Sequence, residues 1–398
     1  MFVVGFLLVV LRRPDALTNP QFWAEDGANW FADAYNMGAS SLLRSYQGYL
    51  VTLPRLVALP TVHLSLQQAA LLFNLVAIAF QVAPAAFFMS RRFEHVASRA
   101  WVRAIIGIVY LLVPSFELNA IITNSLWHLA VLALLVLVAL PPARAGSRSF
   151  DATVILLSGL TGPFAVLLLP AALARALATR AGRRWYLGIS AILLATLAVQ
   201  GWVVLHSHRT AAAPLGAGLR TLAFLISDRM VLPGSFAEEA HTHVYTAGQA
   251  HGAIIAGLVS VLAAAVVGFV LLRSGWAVRI FVLACFAITA MSLLFALTPD
   301  TATSGVSDRY FFSAEVAWLI CVIWSISRLR APVLRWGAGV ATGVVFLSGV
   351  AISPQYPPLP DLHPARYDAQ LRAATPGTVV DVPLNPGGTW AMDLRRAK

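Results

Sequence analysis

Two neighbouring carboxylates, Glu25 and Asp26, form the pair in the sequence that is best suited to acid–base chemistry. One carboxylate can deprotonate an acceptor hydroxyl, while the other fixes that base or holds a divalent cation such as Mg²⁺ or Mn²⁺. An acidic pair in a loop can also simply cap or solvate a helix. Glu25 and Asp26 are therefore candidate catalytic residues and candidate metal ligands. The aromatic residues around them predict a helix that lies in the membrane interface: Trp23, Trp30, Phe31 and Tyr35.

A second group of polar residues lies between the third and fourth apolar runs. It includes Asn124 and His128, which are four residues apart and so share one face of a helix. Polar groups at membrane depth are costly and usually face a cavity or one another. We expect both side chains to contact a sugar or an acceptor. Hydrogen bonding between helices is the alternative.

A third candidate is the segment that ends in Asp308-Arg309-Tyr310, directly before another apolar run. An arginine at a helix N-terminus combines a charged fork with free backbone N–H groups, which suits a phosphate. Arg309 could therefore hold a phosphate and stabilise it as a leaving group, with Tyr310 as a further substrate contact. Alternatively, Asp308 neutralises Arg309.

The composition indicates whether water or lipid surrounds the protein. Of 398 residues, 59% are hydrophobic and only 11% are charged, with a mean hydropathy of +0.76, whereas soluble domains carry about 25% charged residues. Lipid must therefore cover much of the surface. The net charge of +11 comes almost entirely from arginine, in short clusters between apolar runs. Such clusters are typical of membrane orientation signals, so we exclude a nucleic-acid partner.

Apolar runs predict an all-α polytopic membrane protein with about eleven transmembrane helices, within a range of nine to eleven. The runs are Phe2–Leu11, Ser65–Ser90, Ala104–Asn119, Ser125–Leu140, Ala152–Leu160, Pro163–Ala178, Trp185–His206, Ala250–Leu272, Ile280–Leu297, Phe311–Ile326 and Trp336–Ile352. Two of them meet at Thr161-Gly162-Pro163, so they form either two crossings or one broken re-entrant hairpin.

Arginine placement predicts the orientation. Five alternate loops hold fifteen arginines and only two acids, Glu94 and Asp151, so the positive-inside rule makes these loops cytoplasmic. Arg12 and Arg13 are exceptions to this pattern. The N-terminus is then cytoplasmic and the C-terminus outside. Residues 1–353 form the transmembrane domain, with outer loops 12–64, 206–249 and 299–310, and residues 354–398 form an outer tail. Within the tail we expect a short helix over 368–374, a strand over 378–382 and a turn over 385–388.

This arrangement resembles the GT-C superfamily of integral-membrane glycosyltransferases, whose acidic motif lies in the first outer loop. Glu25-Asp26 matches that motif as a Glu-Asp variant. The segment from Tyr46 to Arg55 is similar to uncharacterised bacterial members, which adds Tyr49 and Arg55 as candidate substrate-binding residues. The resemblance implies an inverting enzyme with an outward-facing carboxylate base.

The outward face restricts the donor, because nucleotide-sugars are cytoplasmic. We therefore expect a polyprenyl-phosphate-linked sugar as donor, a cell-envelope glycan or lipid as acceptor, membrane lipids as partners, and a location in the bacterial inner membrane. Two alternatives stay open. A transporter or flippase of lipid-linked saccharides would need charged residues near the membrane midplane. An outer-face polymerase or ligase would need several clustered arginines to hold a diphosphate.

Overall fold

The computed structural model describes residues 1–180, 182–207, 219–236, 249–295 and 305–396, and most of these residues are helical. A helix occupies each of the eleven predicted apolar runs. In chain order these helices are α1 Phe2–Arg12, α2 Leu66–Phe88, α3 Ala100–Leu112, α4 Ser125–Val138, α5 Ala145–Leu160, α6 Ala165–Ala178, α7 Arg183–His206, α8 Gln249–Arg273, α9 Trp276–Phe295, α10 Phe312–Ser327 and α11 Pro332–Ile352.

Five of these helices are long and apolar enough to cross a membrane, namely α2, α7, α8, α9 and α11. Five others are apolar but shorter, namely α1, α3, α4, α6 and α10. A helix rises about 1.5 Å per residue, so a full crossing of the hydrocarbon needs about 20 residues. The described helices therefore support the membrane prediction, because apolar surface of this extent requires lipid.

Short elements connect these helices. The α-helical ones are Asp15–Thr18, Ala32–Met37, Thr52–Thr61, Leu219–Phe224, Leu232–Phe236 and Pro364–Ala373. The 3₁₀ segments are Gly38–Leu43, Arg91–Phe93, Phe116–Leu118 and Gly305–Tyr310, and the π-helical segments are Asp26–Phe31 and Leu225–Val231. Two strands, β1 Val379–Pro383 and β2 Ala391–Arg395, pair antiparallel.

Connecting segments gather in two layers at opposite ends of the bundle. In one layer, the first loop meets the turn between α5 and α6, where Leu53 N–H donates to the Thr161 hydroxyl at 3.1 Å. In the other, Arg92 donates two hydrogen bonds to Asp151, at 2.8 and 2.7 Å, and a third to the Leu140 carbonyl at 2.6 Å. Thr161 lies just beyond the C-terminal end of α5 and Asp151 lies in its first half, so α5 joins the two layers.

The C-terminal tail packs on the first loop. Leu384 and Met392 from the tail share one hydrophobic core with Trp30 and Phe31. Asp368, on the tail helix, accepts hydrogen bonds from the first backbone N–H of α2 at 3.1 and 3.2 Å. The predicted helix, strand and turn of the tail are all present, and the helix begins earlier than expected because Pro364 suits its first turn.

Two expectations about the first loop need correction. The Trp30 and Phe31 rings, placed by the sequence in the membrane interface, are only 1% exposed because protein covers them. Arg12 and Arg13, the exceptions to the arginine pattern, are buried as well. Arg12 donates to the Leu112 carbonyl at 3.1 Å, and Arg13 to the Asn119 carbonyl at 2.6 Å. Both therefore serve as internal hydrogen-bond donors.

Close packing of α5 against α7 can be tested at Gly159. A Cβ atom there would lie 2.7 Å from the Thr196 Cβ, so Gly159→Ala should cost about 1–3 kcal/mol and lower the unfolding temperature in detergent. Gly201→Ala on α7, where no atom lies within 4 Å of the added Cβ, is the control and should change stability by less than about 1 kcal/mol. Equal effects of the two substitutions would contradict this packing.

Candidate functional site

The two adjacent acids have different environments. Asp26 is 1% exposed, and its carboxylate accepts hydrogen bonds from the Thr123 backbone N–H at 2.9 Å and from the Thr123 hydroxyl. The Trp30 indole N–H donates to the same hydroxyl at 2.7 Å. Glu25 is half-buried, and the Tyr46 hydroxyl donates to its Oε1 atom at 3.4 Å. Asp26 therefore fixes the first loop to the segment before α4, whereas Glu25 is the more accessible acid.

The backbone conformation around residues 24–26 directs the Glu25 and Asp26 side chains into different environments. Ala24 adopts a positive φ of 33°, which is uncommon outside glycine. Its N–H donates to the Asn385 carbonyl of the tail at 2.6 Å, and this hydrogen bond helps to hold the strained conformation. Asp26 then begins the π-helix Asp26–Phe31, a type of segment that is frequent at functional sites.

Burial dominates the electrostatics of Asp26. It raises the pKa of Asp26 to about 7, and the hydrogen bonds from Thr123, which favour the charged carboxylate, only partly oppose this rise. The nearby negative charge of Glu25 contributes in the same direction. Asp26 can therefore change its charge near neutral pH.

Arg309 and Glu117 form an ion pair beside this acidic pair. The Arg309 Nη1 atom lies 2.9 Å from Glu117 Oε1, and the guanidinium lies over the Tyr310 ring at 5.0 Å from its centroid. Asp308, which the sequence offered as the alternative partner of Arg309, instead pairs with Arg229 at 2.5 Å. Burial raises the pKa of Glu117 to about 7 even though Arg309 favours its charged form.

Residues far apart in the sequence meet at this point. Glu25 is close enough to influence the pKa of both Glu117 and Arg309, and Tyr46 contacts Glu25. We call the following residues the rim cluster: Glu25, Asp26, Tyr46, Glu117, Thr123 and Arg309. The rim cluster brings a half-buried carboxylate within electrostatic range of a guanidinium, in the same layer as the C-terminal tail.

Asn124 and His128 hold the turn that carries Glu117. The Asn124 side-chain amide donates to the Glu117 carbonyl at 2.6 Å. His128 lies 3.2 Å from the Leu118 carbonyl through Nε2 and 2.7 Å from the Tyr110 hydroxyl through Nδ1. Both side chains are buried. This geometry supports hydrogen bonding between elements, the alternative to direct contact with a sugar.

The remaining candidates occupy different positions around the rim cluster. Arg55 is 1% exposed, pairs with Asp33 at 2.8 Å and lies over the Trp30 ring at 4.9 Å, so it supports the π-helix from behind. Tyr49 closes a tight turn by exchanging backbone hydrogen bonds with Tyr46. The half-buried Tyr310 ring packs edge-on against Trp127.

Sequence reasoning missed Arg13 as part of this region. Its Nε atom lies 3.8 Å from Asp15, its guanidinium lies over the Phe116 ring, and Asp26 acts electrostatically on it. The signal was present in the sequence, because Arg13 lies outside the alternate loops that hold most of the other arginines. Such an arginine has a partner inside the protein more often than a role in orientation.

The divalent cation expected at Glu25 and Asp26 gains no support. The described residues contain no group of three or more His, Cys, Asp or Glu side chains that could hold a metal ion. One Asp26 oxygen is already engaged by Thr123. A cation at this pair therefore stays a prediction.

An apolar cavity of about 170 Å³ lies between helices of the bundle, and part of its wall comes from the arginine-rich layer at Phe93 and Ala97. It extends between Tyr110, whose hydroxyl contacts His128, and Trp324 near the far end of α10. Phe88, Phe281 and Leu319 are among its apolar walls. The cavity has the character of a site for a hydrocarbon chain.

Comparison with known proteins gives no match: no family model, no curated protein and no solved structure resembles the chain. The geometry of the rim cluster is therefore the basis for a functional proposal.

The unequal roles of the two acids can be tested without an activity assay. Asp26→Ala removes the acceptor of the part-buried Thr123 N–H and of the Thr123 hydroxyl, which should cost about 1–3 kcal/mol and lower the unfolding temperature. Glu25→Ala removes one long hydrogen bond from a half-buried side chain and should change stability by less than about 0.5 kcal/mol. If Glu25→Ala destabilises the protein as much as Asp26→Ala, the two acids do not differ as assigned.

Proposed function

We propose that the chain is an inverting membrane glycosyltransferase that moves a sugar from a polyprenyl-phosphate donor to a cell-envelope glycan or lipid. The observation that carries the proposal is that Arg309, which pairs with Glu117 at 2.9 Å, is near enough to the half-buried Glu25 to be influenced electrostatically by it. A general base and a phosphate-binding guanidinium are the two groups that this transfer requires. The GT-C-like sequence features favour the same reaction class.

In the proposed reaction, Glu25 accepts the proton of the acceptor hydroxyl. The oxygen attacks the anomeric carbon from the face opposite the leaving group, and the bond between this carbon and the phosphate oxygen breaks. Arg309 stabilises the negative charge that develops on the departing polyprenyl phosphate. Asp26 is held by its hydrogen bonds with Thr123, and it thereby fixes the position of the neighbouring Glu25. We therefore assign the role of base to Glu25 rather than Asp26.

The donor's hydrocarbon chain would occupy the apolar cavity, entering past Tyr110 and extending towards the arginine-rich layer. Its walls are the kind of surface that binds an isoprenoid, and Tyr110 connects the cavity through His128 to the Glu117 turn. Burying each CH₂ group contributes about 0.8 kcal/mol to lipid binding. A long prenyl chain would therefore supply binding free energy, while the phosphate would fix the position of the donor along the cavity.

We further propose eleven crossings in the bacterial inner membrane, with the rim cluster facing outward. The arginine-rich loops lie in one layer and the rim cluster in the other, as the positive-inside rule requires. Since α5 joins both layers, two crossings rather than a re-entrant hairpin are favoured for α5 and α6.

Transfer from a polyprenyl diphosphate by an outer-face polymerase or ligase is the second candidate. The observation in its favour is that Asp308 brings Arg229 next to the segment of Arg309. Two arginines would suit a diphosphate. However, Arg229 is 2% exposed, so it would first have to leave Asp308. We therefore favour a monophosphate donor.

Glycosyl transfer should depend on the Glu25 carboxylate. General-base catalysis contributes about 10²–10⁴-fold to a rate, so Glu25→Gln should lower transfer from radiolabelled polyprenyl-phosphate sugars by at least about 100-fold. Glu94→Gln, at an exposed acid in the opposite layer, is the matched control and should keep the normal rate. An unchanged rate in Glu25→Gln would exclude this residue as the base. Transport of intact donor without transfer would favour the flippase alternative.

Sidedness can be measured by cysteine labelling in right-side-out membrane vesicles. Ala39→Cys in the first loop should react with a membrane-impermeant maleimide, whereas Ser98→Cys in the arginine-rich layer should react only after the vesicles are opened. Both positions are exposed, and the native Cys285 and Cys321 are buried, so background labelling should be low. The reverse labelling pattern would place the rim cluster in the cytoplasm and remove the case for a polyprenyl-linked donor.

A further inference from the structure

Glu117 occupies the guanidinium that the proposed donor needs. Its Oε1 atom accepts from Arg309 at 2.9 Å, while its Oε2 atom is buried and has no hydrogen-bond partner among the described residues. The residue as a whole is 8% exposed. A buried carboxylate oxygen without a donor is unfavourable when it is charged. This arrangement makes the charged carboxylate a weak competitor for Arg309.

The position of Glu117 is nevertheless fixed. Its backbone carbonyl accepts from Asn124, and the next carbonyl lies beside His128. The adjacent Ser115 N–H donates to the Tyr356 hydroxyl at 2.9 Å. Three contacts from two parts of the chain therefore hold the turn against Arg309. Arg309 is the more exposed partner, since 24% of its side chain is accessible against 10% for Glu117.

We propose that Glu117 competes with a lipid-linked phosphate monoester for the Arg309 guanidinium, and that phosphate binding is coupled to protonation of Glu117. The assignment rests on the proposed function, in which this monoester is the departing polyprenyl phosphate, whereas the sugar-bearing donor is a phosphodiester with a single negative charge. A phosphate monoester carries about −1.5 to −2 charges near neutral pH, so it attracts the guanidinium more strongly than one carboxylate does. The displaced carboxylate would then face a second anion.

Protonation of Glu117 removes the repulsion between its carboxylate and the bound phosphate. Glu117 takes one proton from solvent on Oε2, and the resulting carboxyl O–H donates a hydrogen bond to a phosphate oxygen. Burial raises the pKa of Glu117 to about 7, so this proton is available near neutral pH. The charged groups that face Glu117 are Arg309 and Asp308 from the segment before α10, Glu25 from the first loop, and Arg13 through the neighbouring Phe116 ring. Of these, Asp308 and Glu25 also disfavour its charged form.

Binding of farnesyl phosphate, a short prenyl monophosphate, tests this coupling in the full-length protein in nanodiscs. Titration calorimetry should show that the affinity of the wild-type protein for farnesyl phosphate falls about tenfold as the pH rises from 6 to 8. This is the change expected when binding requires one proton on a group that titrates near pH 7. Glu117→Gln should bind about tenfold more tightly than wild type at pH 8. The phosphate group titrates equally with both proteins, so their difference in pH dependence reports Glu117.

Two further variants complete the design. Arg309→Gln should lose at least tenfold in affinity at both pH values. Glu117→Asp, which retracts the carboxylate by one methylene, should fall between wild type and Glu117→Gln, and it serves if the glutamine variant does not fold. Calorimetry in two buffers of different ionisation enthalpy should show more proton uptake by wild type than by Glu117→Gln. Inorganic phosphate, tested alone, should bind more weakly than farnesyl phosphate but with the same order among variants.

The outcomes separate this inference from the proposed function. If Arg309→Gln loses binding while Glu117→Gln matches wild type at both pH values, the phosphate site stands and the competition by Glu117 is overturned. If wild type and Glu117→Gln both fail to bind farnesyl phosphate, the proposed role of Arg309 in holding the departing polyprenyl phosphate fails, and this inference fails with it. Tighter binding by Glu117→Gln together with reduced proton uptake supports the coupling.

Discussion

Burying charge at one end of an apolar bundle is the constraint on which this structure depends. A charged side chain taken out of water needs a partner, and removing one partner of a buried pair is costly. Arg55 meets Asp33, Arg229 meets Asp308, and Arg13 donates to a carbonyl. Together with the ion pair of Arg309 and Glu117, the contact of Arg13 ties the first loop, the segment before α4 and the segment before α10 into one layer. The rim cluster exists because this layer is held together.

Within that layer, the ion pairs differ in how completely the protein encloses their charged groups. Arg55 is enclosed by Asp33 and Trp30, and its side chain is only 1% exposed. The pair of Glu117 and Arg309 is looser, because 24% of the Arg309 side chain is exposed. A loosely satisfied pair can exchange partners at modest cost. This difference separates the residues that build the site from those that we assign to its chemistry.

Much of the fold could be predicted because it follows from composition and periodicity. Apolar runs gave all eleven helices, and the placement of arginine separated the loops into the two observed layers. The acidic pair was also found, since only its position in the first loop was needed. The local turn of the tail followed from Asn385 and the glycines after it.

The detailed geometry could not be predicted, because it depends on contacts between distant segments. The positive φ of Ala24 and the π-helix after it turn Asp26 inward and leave Glu25 accessible, and no local pattern signals either feature. The partners of Asp308 and Arg309 depend on the approach of residues 117 and 229. Asn124 and His128 lie on the same side of α4, as expected, but that side contacts the turn that carries Glu117.

Docking of the tail on the first loop has a consequence for biosynthesis. The core around Trp30 needs Leu384 and Met392, which are synthesised more than 350 residues after it. The aromatic rings of the first loop therefore stay uncovered until the tail has been made. During that interval the exposed apolar surface makes the growing chain prone to aggregation, and arrival of the tail ends this exposure.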